Sequence, residues 1–370
     1  MKTFVFKSTL FLLPFILALL IELFILPIDF FTFRVWEALL VRKYRTFFSG
    51  HFYPNMEISK IEEGDLAAHT RFAVKKKVRW VTDRYGYRKQ NTDFQKHKVV
   101  IIGESNIAGV CLSQEEILSE VLEDRLKVSV YPYAPVGGIN SFLKNERFIE
   151  NSADIVIFAR IERELLVLDS LKPIKGGKWF SKLKQRFQEN RTIQSLAIPL
   201  DRISKMAMLH YFRASLRRSI SAPKPRAPKS ISSQYGPIFF IQGKSANEDV
   251  SKEKLDKAIQ VIRSYNEALK SRGIRFIFLP IPNKENIFYK DLETTKPVFL
   301  ERLISELKSC GVETIDTQKA FEEAFQNNQI LLYNLDDTHW NGNGVRLAAD
   351  LLTKAIEGKD KILPHPQTLP

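Results

Sequence analysis

The residues best suited to chemistry are a serine and a histidine far apart in the chain. Ser105 lies in Gly103-Glu104-Ser105-Asn106, directly after the apolar run Lys98–Gly103 (KVVIIG), and His339 lies in Asp336-Asp337-Thr338-His339-Trp340-Asn341. A serine hydroxyl is a weak nucleophile until a base accepts its proton, and the base must itself be held by a carboxylate. His339 has an aspartate at two spacings. Asp337 suits an extended or turn backbone, in which residues two apart share a side. Asp336 suits a helical turn, in which residues three apart are neighbours. Gly342 and Gly344 are poor helix-interior residues, and Asn341 or Asn343 would cap a helix, so the helix is expected to begin after the histidine. That favours Asp337, with Asp336 as the alternative acid. An oxyanion would need convergent N–H donors, for which the Ser105 amide and the Gly137-Gly138 turn are candidates. The bland readings are a capping Ser105, a structural His339 and a plain turn at Gly137-Gly138.

The segments around these residues alternate between strand and helix. Apolar runs at Lys98–Gly103, Val128–Tyr133, Asp154–Ala159, Ile274–Leu279 and Val312–Ile315 read as five strands. Helices are expected from the capping box Ser113-Gln-Glu-Glu116 through Leu126, over Lys254–Arg272 with Gly273 stopping it, over Val298–Cys310 closed by Gly311, and over Asn343–Ile356. This rhythm implies an α/β fold with a mainly parallel sheet covered on both faces. Ligands of such sheets bind beyond the carboxyl ends of the strands. Ser105, Gly137, Gly138, Asn140, Arg160, Lys284 and His339 all fall after strands. Arg160 reads equally as an oxyanion donor or a structural ion pair, and Lys284 as a substrate contact or a solvated loop lysine. Trp340 reads as packing, and Arg88 as an anchor of the preceding segment.

Two regions break the pattern. Residues Leu10–Ile28 are apolar enough to cross a hydrocarbon core of about 30 Å, and no small-residue cleavage site follows. A retained anchor is expected over residues 1–40, with Phe30–Leu40 as an interfacial stretch carrying Arg34 and Trp36 at headgroup depth. Lys2 and Lys7 precede the anchor, while Arg34, Arg42, Lys43 and Arg45 follow it; that count favours a cytoplasmic body. The second region lies at about 170–235. Lys172–Lys229 holds fifteen Lys/Arg against two acids, so nearly all of the net charge of +14 is concentrated there. It reads as an insertion with a Pro-rich piece at Ala222–Lys229: a solvated basic segment, or a surface for a membrane or an anionic polymer. No nucleic-acid-binding motif accompanies the charge, so no nucleic-acid partner is expected. Cys111 and Cys310 have no metal-ligand spacing and read as two buried free thiols; neither a metal nor a cofactor is expected.

The order G-E-S-N after the first strand, a glycine turn after the second and D-T-H-W-N-x-x-G near the end resembles the SGNH (GDSL-like) hydrolase superfamily. Gly86-Tyr87-Arg88 before the nucleophile strand and Pro280-Ile-Pro-Asn-Lys284 after the fourth resemble its alginate O-acetyltransferase-like branch. The likeness spans roughly 79–356 without the insertion. It departs at Glu104, where Asp is usual, and at Ala159-Arg160-Ile161-Glu162, which replaces the usual G-x-N-D and its oxyanion-donating Asn. The resemblance implies a flavodoxin-like three-layer sandwich preceded by one transmembrane helix, divided into anchor (1–40), lead-in (41–97), α/β domain (98–358) and tail (359–370). It implies a serine O-acyltransferase or acylesterase acting on a cell-envelope glycan, with a GDSL-like esterase or a non-catalytic envelope-assembly protein as alternatives. The partners implied are an acyl donor, a glycan or ester substrate, a multi-spanning membrane acyltransferase and the lipid surface. The body is expected outside the cytoplasmic membrane, against the flanking charge count.

Overall fold

The computed structural model describes residues 2–90, 96–135, 138–173, 178–220, 229–247 and 250–360. Its centre is a parallel sheet of four strands, β3 (Val99–Ile102), β4 (Val130–Tyr133), β5 (Ile155–Ile161) and β8 (Arg275–Ile281), in the spatial order β4-β3-β5-β8. All three pairings are parallel. Every residue of β3, β4 and β5 is buried, as expected of strands covered on both faces. Alternate residues feed two cores. Val99, Ile101, Ile157 and Leu279 join one with the helices Leu118–Leu126 and Gly342–Asp360. Val100, Ile102, Val156, Phe158 and Phe278 join the other with the helices Lys252–Lys270 and Phe299–Ser309. The result is the SGNH-like three-layer arrangement.

The fifth expected strand, Val312–Ile315, is only a single bridge from Thr314 to Phe278. The pairing stops because Asp316 caps the helix Thr317–Asn328, its side chain accepting from the Lys319 amide at 3.1 Å. Two antiparallel hairpins add to the periphery: β1 (Glu57–Glu62) with β2 (Lys76–Val81), and β6 (Lys229–Ser233) with β7 (Gly236–Phe240). Phe52, Tyr53 and Trp80 of the lead-in belong to the same core as β3. Arg88 is its anchor: fully buried, it stacks 3.8 Å over Trp80 and donates to the Leu112 carbonyl at 2.7 Å and the Ala108 carbonyl at 3.1 Å.

The apolar N-terminal helix runs Lys2–Phe24, earlier than the expected Leu10–Ile28. Its Thr3–Phe24 portion has a mean hydropathy of 2.3, with that apolar stretch unburied, and is long enough to cross a membrane. It ends ahead of Pro27, which cannot donate to continue it. Arg34 and Trp36, expected at headgroup depth, instead face protein. The Trp36 ring meets Phe52 at 5.2 Å and Trp80 at 6.3 Å, because Val35, Ala38 and Leu39 bury their helix against the body. The basic insertion is helical over Lys178–Gln188, Arg191–Lys205 and Ala207–Ile220; most of the Pro-rich piece, 222–228, lies outside the described residues. Cys111 is buried, but Cys310 is exposed at the end of its helix, which corrects the reading of two buried thiols.

Candidate active site

In a sheet ordered β4-β3-β5-β8, the chain leaves β3 toward β4 on one side and leaves β5 toward β8 on the other. That topological switch opens a crevice at the carboxyl ends of β3 and β5. Ser105 stands there, as the first residue of the helical turn Ser105–Ala108. The turn is tight: a Cβ on Gly103 would lie 2.3 Å from Ile107 Cγ1 and 3.1 Å from the Ala159 carbonyl oxygen, so only glycine fits. The Ile107 and Ala108 amides bond back to the Glu104 carbonyl at 3.0 and 2.9 Å. The Ser105 amide begins the turn and lies ahead of these bonds.

Opposite, His339 Nε2 is 2.8 Å from Ser105 Oγ. Its Nδ1 bonds Asp337 Oδ1, and the same oxygen accepts the His339 amide at 2.9 Å. That second bond is an Asx turn, side chain to the backbone two residues on, and it fixes backbone and ring together. Asp337 Oδ2 accepts the Asp65 amide at 2.9 Å and the Cys111 thiol at 3.4 Å, with Arg34 Nη1 at 3.5 Å. Burial pushes the Asp337 carboxyl up. The His339 ring, its hydrogen bond and the two backbone amides outweigh burial and hold it well below the usual carboxylate range. Beside it, Asp65 is raised to about 6 by burial and by the charge of Asp337, with Arg34 pulling the other way. Cys111 is pushed well above the usual thiol range by burial and by Asp337, so it sits there as a neutral donor.

Each residue of the histidine block has a separate role. Asp336 faces away from His339 and accepts the Gly64 and Val74 amides, each at 2.8 Å, which sews the lead-in to the site. Trp340 donates from Nε1 to the Asn106 carbonyl at 3.2 Å, pinning the histidine strand to the serine turn. Asn341 Oδ1 accepts the Asn343 and Gly344 amides at 2.9 and 3.2 Å and caps the last helix. Lys284 is not a solvated loop lysine. It is buried and donates to the carbonyls of Phe239, Asn334, Leu335 and Asp337 at 2.8, 2.5, 3.0 and 3.1 Å. Burial draws it down to about 7 while Asp337, Glu285 and Asp336 pull it back up; four carbonyl acceptors suit the charged form.

The remaining candidates separate. Arg160 is the penultimate residue of β5; it bonds Glu104 and forms an ion pair with Glu164 at 3.1 Å, which is the ion-pair reading. Burial raises the Glu104 carboxyl and Arg160 lowers it. Asn140 is not turned to the serine: its Nδ2 donates to the Ser170 carbonyl and its Oδ1 accepts the Lys172 amide, both at 2.9 Å. It closes the base of the insertion. Gly138 has φ +136°, with nothing within 4 Å of a Cβ placed there; Gly137 lies outside the described residues. Sequence reasoning did not single out Asp65 and gave Arg34 and Cys111 other roles. All three reach Asp337 through tertiary contacts, and no spacing in the chain announces them.

Residues 239–369 match the family model of the SGNH hydrolase-like domain of the acetyltransferase AlgX. That stretch holds Lys284, Asp337 and His339 and not Ser105. No curated protein matches the chain. Among solved structures, a lipase/acylhydrolase from Enterococcus faecalis is 11% identical with a TM-score of 0.37, covering 71% of this chain and 96% of that one. A GDSL-like lipase from Bacteroides thetaiotaomicron is 13% identical with a TM-score of 0.33, covering 73% and 92%. The histidine block of the Ser–His–Asp arrangement lies inside the matched region, so the C-terminal part of the chain is similar to the SGNH hydrolase-like domain of the acetyltransferase AlgX.

Proposed function

We propose that this protein is a membrane-anchored, serine-dependent O-acyltransferase or acylesterase that acts on a cell-envelope glycan. The observation that carries the reading is the relay Ser105 Oγ–His339 Nε2 at 2.8 Å with Asp337 bound to the other ring nitrogen. Ser105 Oγ attacks the acyl carbonyl carbon and passes its proton to His339 Nε2. The carbonyl π pair moves to oxygen, where the Ser105 amide and Gly138 are the candidate donors. Collapse breaks the bond to the leaving alkoxide, which takes the proton from His339, and leaves an acyl ester on Ser105. An acceptor hydroxyl, deprotonated by His339, then attacks that ester and restores the serine. Asp337 keeps the ring oriented and offsets the charge of the imidazolium.

The outcome depends on the second acceptor: a sugar hydroxyl gives transfer, water gives hydrolysis. The apolar helix Lys2–Phe24 supports an anchored chain, and the family match supports acyl chemistry outside the cytoplasm. A multi-spanning membrane acyltransferase would supply the acyl donor. The test is covalent labelling by a serine-directed phosphonate together with release of acyl groups from a chromogenic ester. Ser105→Ala should lose both in a folded protein, and labelling that persists would remove Ser105 from the mechanism. Acyl transfer to an envelope oligosaccharide, measured against transfer to water, decides between the two acceptors.

A further inference from the structure

The insertion helix Arg191–Lys205 is built inside out. Its buried positions are Gln194, Ala197, Asp201 and Lys205, at spacings of three and four that mark one face. Its opposite face exposes Leu196 (68%), Leu200 (50%) and Ile203 (38%). A helix on a water-soluble body shows the reverse pattern. Its orientation is locked by polar bonds. Asp201 accepts the amides of Arg42, Lys43 and Tyr44 at 3.2, 2.8 and 3.0 Å and the Tyr53 hydroxyl at 2.7 Å. Lys205 Nζ donates to the Ala38 carbonyl at 2.7 Å. Rolling the helix to hide its leucines would break all of these. The next helix, Ala207–Ile220, continues the pattern with Leu209, Phe212 and Leu216 all more than half exposed.

This apolar surface adjoins the anchor. Arg202 donates to the carbonyls of Glu22 and Leu23 at 2.6 and 2.9 Å, which caps the end of the helix Lys2–Phe24. Phe31, seven residues beyond that end, meets the rings of Tyr211 and Phe212 at 5.5 and 6.3 Å. The three insertion helices carry ten Lys/Arg against one acid, Asp201. Apolar residues beside a basic rim suit an anionic bilayer surface.

We propose that residues 191–220 form an in-plane membrane platform. In it Leu196, Leu200, Leu209 and Phe212 enter the acyl-chain boundary, and Arg213 and Arg217 lie at anionic headgroups. The occupant is lipid because the patch continues from an apolar helix whose hydrophobic stretch is itself unburied. The proposal rests on the reading that this helix spans the bilayer. It goes further by giving the body a second, broad attachment that sets its orientation above the membrane.

The test uses the full chain in proteoliposomes of phosphatidylethanolamine and phosphatidylglycerol, spin-labelled at single cysteines on a Cys310→Ser background; Cys111 stays, being buried. Labels at positions 196, 200, 209 and 212 are compared with one at Leu17 in the anchor and one at Val167, which is 72% exposed on the body. Accessibility to oxygen and to a water-soluble nickel chelate reads depth. The expected result is an oxygen-to-nickel ratio at the four platform sites several-fold above that at Val167 and close to that at Leu17. Platform labels that collide with nickel as Val167 does, while Leu17 stays in lipid, overturn the platform and leave the anchor standing. A Leu17 label in water overturns both. Spin–spin broadening at the platform that vanishes on dilution in excess lipid means that a second copy covers the patch, and it overturns the lipid assignment.

Discussion

The guanidinium of Arg34, ten residues beyond the end of the apolar helix, lies 3.5 Å from the carboxylate that holds the histidine, Asp337. The same side chain pairs with Glu37 at 2.6 Å and Asp65 at 3.5 Å. Arg34→Gln should therefore weaken the grip on Asp337 without removing the carboxylate or its amide donors. The expected effect is a fall in kcat of about tenfold, or about 1.4 kcal/mol at the transition state, with KM little changed. Arg34→Lys should recover part of the loss. Steady-state kinetics on a chromogenic ester read the split, and an unchanged kcat in Arg34→Gln would detach the stem from catalysis.

The two neighbouring aspartates should behave differently. Asp337→Asn leaves the ring without its carboxylate and should cut kcat by about a hundredfold to ten-thousandfold. Asp336→Asn should stay within about tenfold in kcat. It should lower stability by about 1–3 kcal/mol, because the buried Gly64 amide and the part-buried Val74 amide lose a charged acceptor. Matched turnover and denaturant titrations check both; a crippled Asp336→Asn enzyme with intact stability would reverse the assignment.

Lys284 should be a stability residue. Lys284→Met leaves four carbonyl acceptors facing a methyl group and should cost about 2–4 kcal/mol. Residual activity should scale with the folded fraction. If Lys284→Met is as stable as the parent and KM rises instead, the lysine contacts substrate.

Glu162 gives a pH signature. It is buried, accepts the Asn283 amide at 3.2 Å and the Asn286 side chain at 2.5 Å, and is raised from 4.5 to about 7, chiefly by burial. A carboxyl whose folded pKa exceeds its unfolded one binds more protons in the native state between those values. Stability therefore falls as pH rises from about 4.5 to about 7, by up to about 3 kcal/mol. Glu162→Gln should remove that slope and gain stability relative to the parent at pH 8. Thermal unfolding at pH 5 and pH 8 measures it, and an equal slope in both proteins would rule the assignment out.

The location of the body is tested by fusion. A phosphatase fused at the C-terminus should be active if the catalytic domain lies outside the cytoplasm, whereas a fluorescent protein restricted to the cytoplasm should be dark. The opposite pair of results would favour the flanking-charge count and remove the envelope glycan as substrate.

The chemistry-bearing residues were legible because their roles are local. The Asx turn of Asp337 onto His339, the glycine turn before Ser105 and the Asn341 cap each follow from residues a few positions apart. The central strands were legible for a related reason: strands buried on both faces read as continuous apolar runs. What escaped depends on contacts between distant segments. Lys284 is a loop lysine by sequence and a buried pin only because β7 and the histidine block bring their carbonyls to it. The inverted helix Arg191–Lys205 has ordinary amphipathic spacing, and only Arg42–Tyr44 and Tyr53 decide which face turns inward. The fifth strand failed because the helix cap at Asp316 begins before a second bridge can form.

The hydrogen bond between Ser105 and His339 joins residues 234 positions apart, and this has a consequence for how the protein is made. A chain synthesised from its N-terminus presents the serine long before the histidine exists. Until residue 339 has emerged and folded back, Ser105 is an ordinary alcohol, and any fragment ending earlier carries a nucleophile without a base. On the proposed mechanism, reactivity thus waits until the segment around residue 339 has folded back against the serine, well after the apolar N-terminal helix has been made.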